Sequence, residues 1–243
     1  MIAKKIHYVW LGGNPLPEIA KKCIESWKKF CPDYEICCHD ETNLNLDKYK
    51  FARDAYDAKK FAFASDVFRT EILYNEGGVY FDIDVELIKP IDDLLEGKSL
   101  IVGFESSLLL NPGVFMAAEK GNEHLKNILD GYLTREFDVN NLTALTVCEV
   151  YTAYFERLGL KRQDITQTID DAIFYQSQYF SPIDVITSKK KITSKTRSIH
   201  WYTASWYSPK QKTLAKLKKT VNILTFGLAG KVLKKLRERK NGK

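Results

Sequence analysis

The chain has 243 residues, of which 44% are hydrophobic, and this length and composition allow one substantial core rather than two. No stretch reaches the roughly eighteen apolar residues of a membrane span, and the apolar run Ile6–Leu11 ends in Gly-Gly without a signal-peptide cleavage pattern. We therefore expect a cytoplasmic protein. The formal net charge is +6, but residues Lys210–Lys243 carry twelve basic side chains and one acidic one, so the preceding part is net negative.

The five cysteines, an odd number, suit a reducing compartment better than a disulfide framework. A zinc site could in principle use the four cysteines and one histidine of the N-terminal part: Cys23, Cys31, Cys37, Cys38 and His39. Because no Cys-x-x-Cys pair occurs among them, this site is not favoured.

Strand and helix patterns alternate in the first half of the chain, which predicts a mostly parallel sheet with helices on both faces. The predicted strands are Lys5–Trp10, Tyr34–Cys38, Val79–Val85, Leu100–Phe104, Val114–Ala118 and Ser198–Tyr202. The predicted helices are Glu18–Phe30, Phe51–Ala58, Lys60–Glu76, Glu123–Leu133 and Thr146–Leu158. The fold class is therefore α/β.

The run Gly77–Leu87 is the most informative stretch, because it sets carboxylates two positions apart in an otherwise apolar segment. On a strand, Asp82, Asp84 and Glu86 would project together from one face, and the alternate side chains would enter the core: Val79, Phe81, Ile83 and Val85. A divalent cation with oxygen ligands would relieve the repulsion among these charges and could bridge them to a diphosphate. The alternative is a solvated face of an edge strand.

Several motifs in order resemble glycosyltransferase family 32, of the bacterial capsular or exopolysaccharide type. They are Ile6–Gly13 with Pro15–Pro17 and Ser26-Trp27, then Phe61–Arg69, Glu76–Asp84 and Ala204–Trp206. Mannosyltransferases and the catalytic domains of clostridial glucosylating toxins are related to this family. The resemblance covers roughly residues 1–209 and implies the GT-A nucleotide-sugar fold for that part, as a single sheet flanked by helices.

The resemblance also implies roles for the carboxylates. Asp84 would ligate Mn²⁺ or Mg²⁺ directly, while Asp82 would reach the cation through water or hold ribose and sugar hydroxyls. Asp66 and Arg69 lie three residues apart on a predicted helix, where they could form a simple ion pair. By resemblance they bind the donor sugar.

Further donor contacts follow from the same resemblance. Trp10 would stack on the nucleotide base, with the Val9 backbone beside it, although an aromatic residue at a strand end is often only part of the core. Asn111 would face the donor from a polar loop, or it is an ordinary turn asparagine.

The C-terminal motif is less regular than in the family. Ser205 and Trp206 would close over the diphosphate, and His200 would be a further metal ligand or else a structural histidine. Many relatives read His-His-x-Ala-Gly-Ser-Trp, whereas this chain reads His200-Trp201-Tyr202-Thr203-Ala204-Ser205-Trp206, so the register of the histidine differs.

The function expected from these features is transfer of a hexose from a nucleotide-sugar, a UDP-sugar by preference, to a hydroxyl of a growing, lipid-linked glycan, with retention of configuration. No side chain stands out as a covalent nucleophile. Two alternatives stay open at this point. Phe81–Val85 also resembles the first motif of haloacid-dehalogenase-like phosphohydrolases, and the same carboxylates could serve a non-catalytic carbohydrate-binding or calcium-binding module.

The tail, residues 210–243, combines its lysines with apolar residues at steps of three and four. The repeat is Leu214, Leu217, Val221, Leu224 and Leu228. This pattern predicts a basic amphipathic helix that binds the anionic inner face of the cytoplasmic membrane. A helix docked on the domain is the alternative, and no nucleic-acid motif accompanies the lysines.

Overall fold

The computed structural model describes residues 1–185 and 187–203. Its strands are β1 Lys5–Val9, β2 Glu35–His39, β3 Gly78–Tyr80, β4 Val85–Leu87, β5 Leu100–Gly103, β6 Met116–Ala118, β7 Gln167–Ile169, β8 Ala172–Tyr175 and β9 Ser198–His200. Its helices are α1 Glu18–Phe30, α2 Lys50–Asp57, α3 Phe61–Glu76, α4 Asp92–Leu95, α5 Glu123–Thr134 and α6 Val147–Glu156. Short 3-10 helices cover Leu46–Lys48, Leu142–Leu145 and Ser177–Tyr179. Ser205, Trp206 and the predicted tail helix lie outside the described residues.

A seven-stranded sheet forms the centre of the described part, in the order β2-β1-β3-β6-β5-β8-β7. Strands β1, β2 and β3 run parallel, β5 and β8 run in that same direction, and β6 and β7 are reversed. The mostly parallel α/β sheet is therefore confirmed. A second sheet of two antiparallel strands, β4 and β9, was not predicted.

Alternate strand residues enter two separate cores, one on each face of the large sheet. On β3, Val79 packs with the cluster that contains Trp27 of α1, whereas Tyr80 packs with the cluster that contains α3 and α5 residues. This is the period-two alternation of a sheet covered on both sides. The prediction of helices on both faces is thus confirmed, with α1 on one face and α2, α3, α5 and α6 on the other.

The junction between α3 and β3 needs glycine at two consecutive positions. Gly77 and Gly78 have φ of 70° and 107°, in the left-handed region. A Cβ on Gly77 would lie 2.8 Å from the Lys120 backbone nitrogen, and one on Gly78 would lie 2.9 Å from the Lys5 carbonyl oxygen. These residues end the helix and let its chain enter the sheet directly.

The predicted strand Val79–Val85 is wrong as a single element. The chain leaves the large sheet after Tyr80, turns through a hydrogen bond from the Val85 N–H to the Asp82 carbonyl (3.0 Å), and joins the small sheet as β4.

Among the described residues, no helix is long and apolar enough to cross a membrane.

Candidate active site

The two aspartates of the Asp-x-Asp motif lie in the turn between β3 and β4. The apolar half of the prediction holds, because Val79, Phe81, Ile83 and Val85 are all buried in one core cluster. The carboxylates of Asp82 and Asp84 face the other way. Glu86 does not join them: its carboxylate contacts Lys22 and accepts a hydrogen bond from the Trp201 indole N–H, so the expected group of three acids is reduced to two.

Asp84 is buried and has partners at both carboxylate oxygens. Its Oδ1 lies 3.0 Å from His200 Nε2, and its Oδ2 accepts hydrogen bonds from the backbone N–H and the hydroxyl of Thr203, both at 2.8 Å. Burial opposes ionisation, but the charge of His200 and these hydrogen bonds outweigh it and hold the Asp84 pKa well below its usual value. Asp84 is therefore ionised at neutral pH.

His200 reaches Asp84 because β9 pairs antiparallel with β4, with His200 opposite Val85. Burial disfavours the imidazolium, yet the Asp84 carboxylate raises the pKa of His200 above its usual value. Within the described residues its Nδ1 is buried without a hydrogen-bond partner, so the hydrogen bonding of the ring rests on Nε2.

Arg69 joins the predicted sugar-binding pair to the Asp-x-Asp motif. Its Nη2 lies 2.9 Å from Asp66 Oδ1 and 3.1 Å from Asp82 Oδ1, and its guanidinium stacks 4.8 Å from the centre of the Tyr80 ring. The Tyr80 hydroxyl also donates to Asp82 Oδ1. The buried Arg69 side chain therefore pairs both with Asp66 on its own helix and with Asp82 in the turn between β3 and β4.

Asp66 has a different electrostatic environment from Asp84. Burial raises its pKa to about 7, against the lowering effect of the Arg69 charge, and the nearby Asp82 charge raises it further. Its Oδ2 accepts a hydrogen bond from the Val147 N–H at the start of α6. The site therefore contains one carboxyl group with a pKa of about 7, that of Asp66, and one that is ionised at neutral pH, that of Asp84.

The loop that follows Glu105 packs against Asp82. The Asp82 N–H donates to the Gly113 carbonyl at 2.8 Å, and a Cβ on Gly113 would lie only 2.1 Å from Asp82 Oδ2. Asn111 holds this loop: its Nδ2 donates to Glu105 Oε2 and its Oδ1 accepts from the Gly113 N–H. In this arrangement Asn111 supports the loop beside Asp82, and a donor contact for it stays a prediction.

The remaining predicted donor residues lie at the end of β1. The Trp10 side chain is partly exposed and its indole N–H donates to the Asn14 carbonyl, whereas the Val9 side chain is buried in the core. Ser205 and Trp206 fall outside the described residues.

Three site residues were missed by the sequence reasoning: Tyr80, Gly113 and Thr203. Tyr80 was interpreted only as part of a strand. It lies two positions before Asp82, however, and this spacing places the two side chains on the same face of a strand. Gly113 follows Pro112, which signals a turn but not a contact. Thr203 carries no sequence signal.

The donors of Asp82, Asp84 and His200 fit a divalent cation. One ligand atom from each lies within 4.8 Å of the others. Two carboxylates and one imidazole are the ligand types that suit Mn²⁺, and the carboxylates also suit Mg²⁺. Asp82 is the most open of the three, with a side chain 30% exposed against 9% for the other two.

The sequence matches one family model, described as "Glycosyltransferase sugar-binding region containing DXD motif", over residues 17–101. This region includes α1, α3 and the Asp82–Asp84 turn. It therefore holds Asp66, Arg69 and both motif aspartates. A comparison with curated proteins found no match.

Several solved structures are similar to the chain. One is described as "PaToxG Glycosyltransferase", with a TM-score of 0.51 and 23% identity over 64% of this chain and 68% of that chain. Another is a glycosyltransferase involved in glycosylation of the major capsid of PBCV-1, with a TM-score of 0.49 and 14% identity over 88% and 98%. Mouse xyloside xylosyltransferase 1 gives a TM-score of 0.46 and 11% identity over 84% of this chain and 99% of that chain. Only the first score exceeds 0.5, and it supports the GT-A-like fold.

Proposed function

Because this chain is a DXD-motif glycosyltransferase, we propose that it transfers a hexose from a UDP-sugar to a hydroxyl of a glycan acceptor, with Mn²⁺ or Mg²⁺ held by Asp82, Asp84 and His200. The observation that carries the proposal is the bridge that Arg69 makes between Asp66 and Asp82. It brings the residues expected to hold the sugar and those expected to hold the cation into one buried cluster.

The cation, when bound, neutralises the negative charge that develops on the departing diphosphate. The protein groups prepare that position in advance. Thr203 and His200 hold the Asp84 carboxylate in one orientation and keep it ionised, and Arg69 and Tyr80 hold one oxygen of Asp82 in place. Fixed charges lower the barrier because they need no reorganisation during the reaction.

The sugar half of the donor is proposed to lie against Asp66 and Arg69. The two side chains are buried on α3 and carry donors and acceptors in fixed positions, as recognition of ring hydroxyls requires. Trp10, partly exposed at the end of β1, is proposed to stack on the uracil ring, with the Val9 backbone beside it.

Retention of configuration, a lipid-linked acceptor and a role in capsular or other cell-surface glycan synthesis belong to the same proposal. They follow from the family resemblance and from the lysine-rich, amphipathic sequence of residues 210–243. On this view the enzyme works in the cytoplasm at the inner face of the membrane, where its acceptor is found.

The test is incubation with a panel of nucleotide-sugars in Mn²⁺, with and without excess EDTA, followed by detection of the released nucleoside diphosphate. We expect UDP release from one or a few UDP-sugars, loss of activity in EDTA and recovery when Mn²⁺ is restored. Full activity in EDTA would contradict the metal site. Release from a GDP-sugar alone would contradict the UDP assignment but leave the metal site standing.

A further inference from the structure

A second group of metal-binding side chains lies on the α3 face of the sheet, near its β2 edge. His7 of β1, His39 of β2 and Glu76 at the end of α3 each place one ligand atom within 4.8 Å of the others. The expected site at Asp82, Asp84 and His200 uses none of them. His7 and His39 are two of the four histidines in the chain.

The orientation of His7 is fixed by its surroundings. The ring is buried, and its Nε2 lies 3.0 Å from the Gly77 carbonyl oxygen, so Nε2 carries the proton and donates it. The other nitrogen, Nδ1, therefore presents a lone pair, and it lies 3.0 Å from His39 Nε2. A histidine tied to a backbone carbonyl through one nitrogen and open at the other is the arrangement found in metal-binding histidines.

The two imidazole rings face each other across their 3.0 Å contact. One proton sits between them, on His39 Nε2, and its transfer to His39 Nδ1 would leave two lone pairs facing each other.

Glu76 supplies the third donor. Lys5 Nζ contacts its Oε2 at 2.8 Å, and the carboxylate has a second oxygen. Two imidazole nitrogens and one carboxylate oxygen are a ligand set of zinc sites that keep a fourth position for water. Zinc–nitrogen bonds of about 2.0–2.1 Å in a tetrahedron separate two nitrogens by roughly 3.3 Å, so the rings need to open by only a few tenths of an ångström.

We propose that His7, His39 and Glu76 form a second metal site, which binds Zn²⁺ or a similar transition-metal cation and ties the C-terminal end of α3 to β1 and β2. Imidazole donors favour such a cation over Mg²⁺. Glu76 lies seven residues after Arg69 on the same helix, about 10 Å along its axis. The site is therefore separate from the Asp-x-Asp cluster.

The experiment measures Zn²⁺ binding to the tag-free full chain by calorimetric titration at pH 7.5, in millimolar Mg²⁺ to occupy the oxygen-rich site. A parallel titration with Co²⁺ follows the visible absorption of a tetrahedral centre. Four variants are compared with the wild type: His39→Gln, Glu76→Gln, His200→Gln and His124→Gln. His124 is the matched control, since it is a partly buried histidine whose Nδ1 hydrogen-bonds the Tyr154 hydroxyl elsewhere.

We expect one Zn²⁺ to bind to the wild type, to His124→Gln and to His200→Gln, with a rise in melting temperature. His39→Gln should lose this binding, and Glu76→Gln should weaken it at least about tenfold, because each loses a ligand. Glu76 is exposed, so its variant should fold even if His39→Gln does not. The proposal is overturned if the wild type binds no Zn²⁺, if binding disappears in His200→Gln, or if Glu76→Gln binds as tightly as the wild type.

Discussion

Gly113→Ala should disable the enzyme by displacing one carboxylate. The added Cβ would lie 2.1 Å from Asp82 Oδ2 and 2.8 Å from Arg69 Nη1, whereas ordinary van der Waals contact begins at 3.4 Å. Asp82 must therefore move by roughly 1 Å, a displacement that costs about 1–3 kcal/mol when a packed site has little room. The movement also disturbs its contacts with Arg69 and Tyr80.

A misplacement of about 1 Å in a catalytic group can reduce the rate about 100-fold, so kcat/KM for donor hydrolysis should fall by roughly that factor. The assay is nucleoside diphosphate release in Mn²⁺, with a thermal melt of each protein. Gly131→Ala is the matched control: Gly131 lies in α5, is exposed, and its Cβ would meet nothing within 4 Å. It should leave activity unchanged and stabilise the helix by up to about 1 kcal/mol. Wild-type kcat/KM in Gly113→Ala would refute the assignment of Asp82.

Asp84→Asn should abolish turnover and also lower the melting temperature by several degrees, because the buried carboxylate has partners at both oxygens. The control is Glu86→Gln on the neighbouring β4, which should retain both activity and stability. Arg69→Ala should destabilise the protein by about 3–5 kcal/mol in a thermal melt, since it leaves the buried Asp66 carboxyl group without its cation. Arg69→Lys should fold but bind the UDP-sugar less tightly, while free UDP binds as before in calorimetry. Truncation after Pro209 should preserve donor hydrolysis and end sedimentation with anionic vesicles, and high salt should weaken that sedimentation in the intact protein; an intact chain that ignores anionic vesicles at low salt would contradict the membrane proposal.

The secondary-structure predictions succeeded where a local signal fixed the element. The helix Glu18–Phe30 was predicted with the observed bounds, and Lys60–Glu76 differs from α3 by one residue, because Gly77-Gly78 marks the helix end. The strand over Val79–Val85 failed because alternation reports which face a residue uses, not which sheet it joins. Strands β7 and β8 were not predicted at all, and β8 owes its place to a partner far away in the sequence.

The candidate site, too, was predictable only where the sequence carries a local signal. The carboxylates carry a spacing signal and the Asp66–Arg69 pair a helical one, so both could be named in advance. Their connection could not, since the contact between Arg69 and Asp82 depends on how α3 packs against β3. The burial of Asp84 could not be predicted either, because His200 of β9 and the following Thr203 cover its carboxylate from more than a hundred residues along the chain.

The burial of α3 explains why these residues can act as a unit. Every residue from Phe63 to Leu73 is buried, so the helix has no solvent face along this length, and it contacts β1, β3 and α5. A helix enclosed on all sides cannot tilt without disturbing two packed layers, and this fixes Arg69 relative to Asp82 before any donor arrives. Preorganisation of this kind costs no ordering of the arginine during the reaction. It also means that substitutions in α3 will change stability and activity together, so only variants whose melting temperature matches the wild type, such as a well-folded Arg69→Lys, can separate sugar binding from support of the fold.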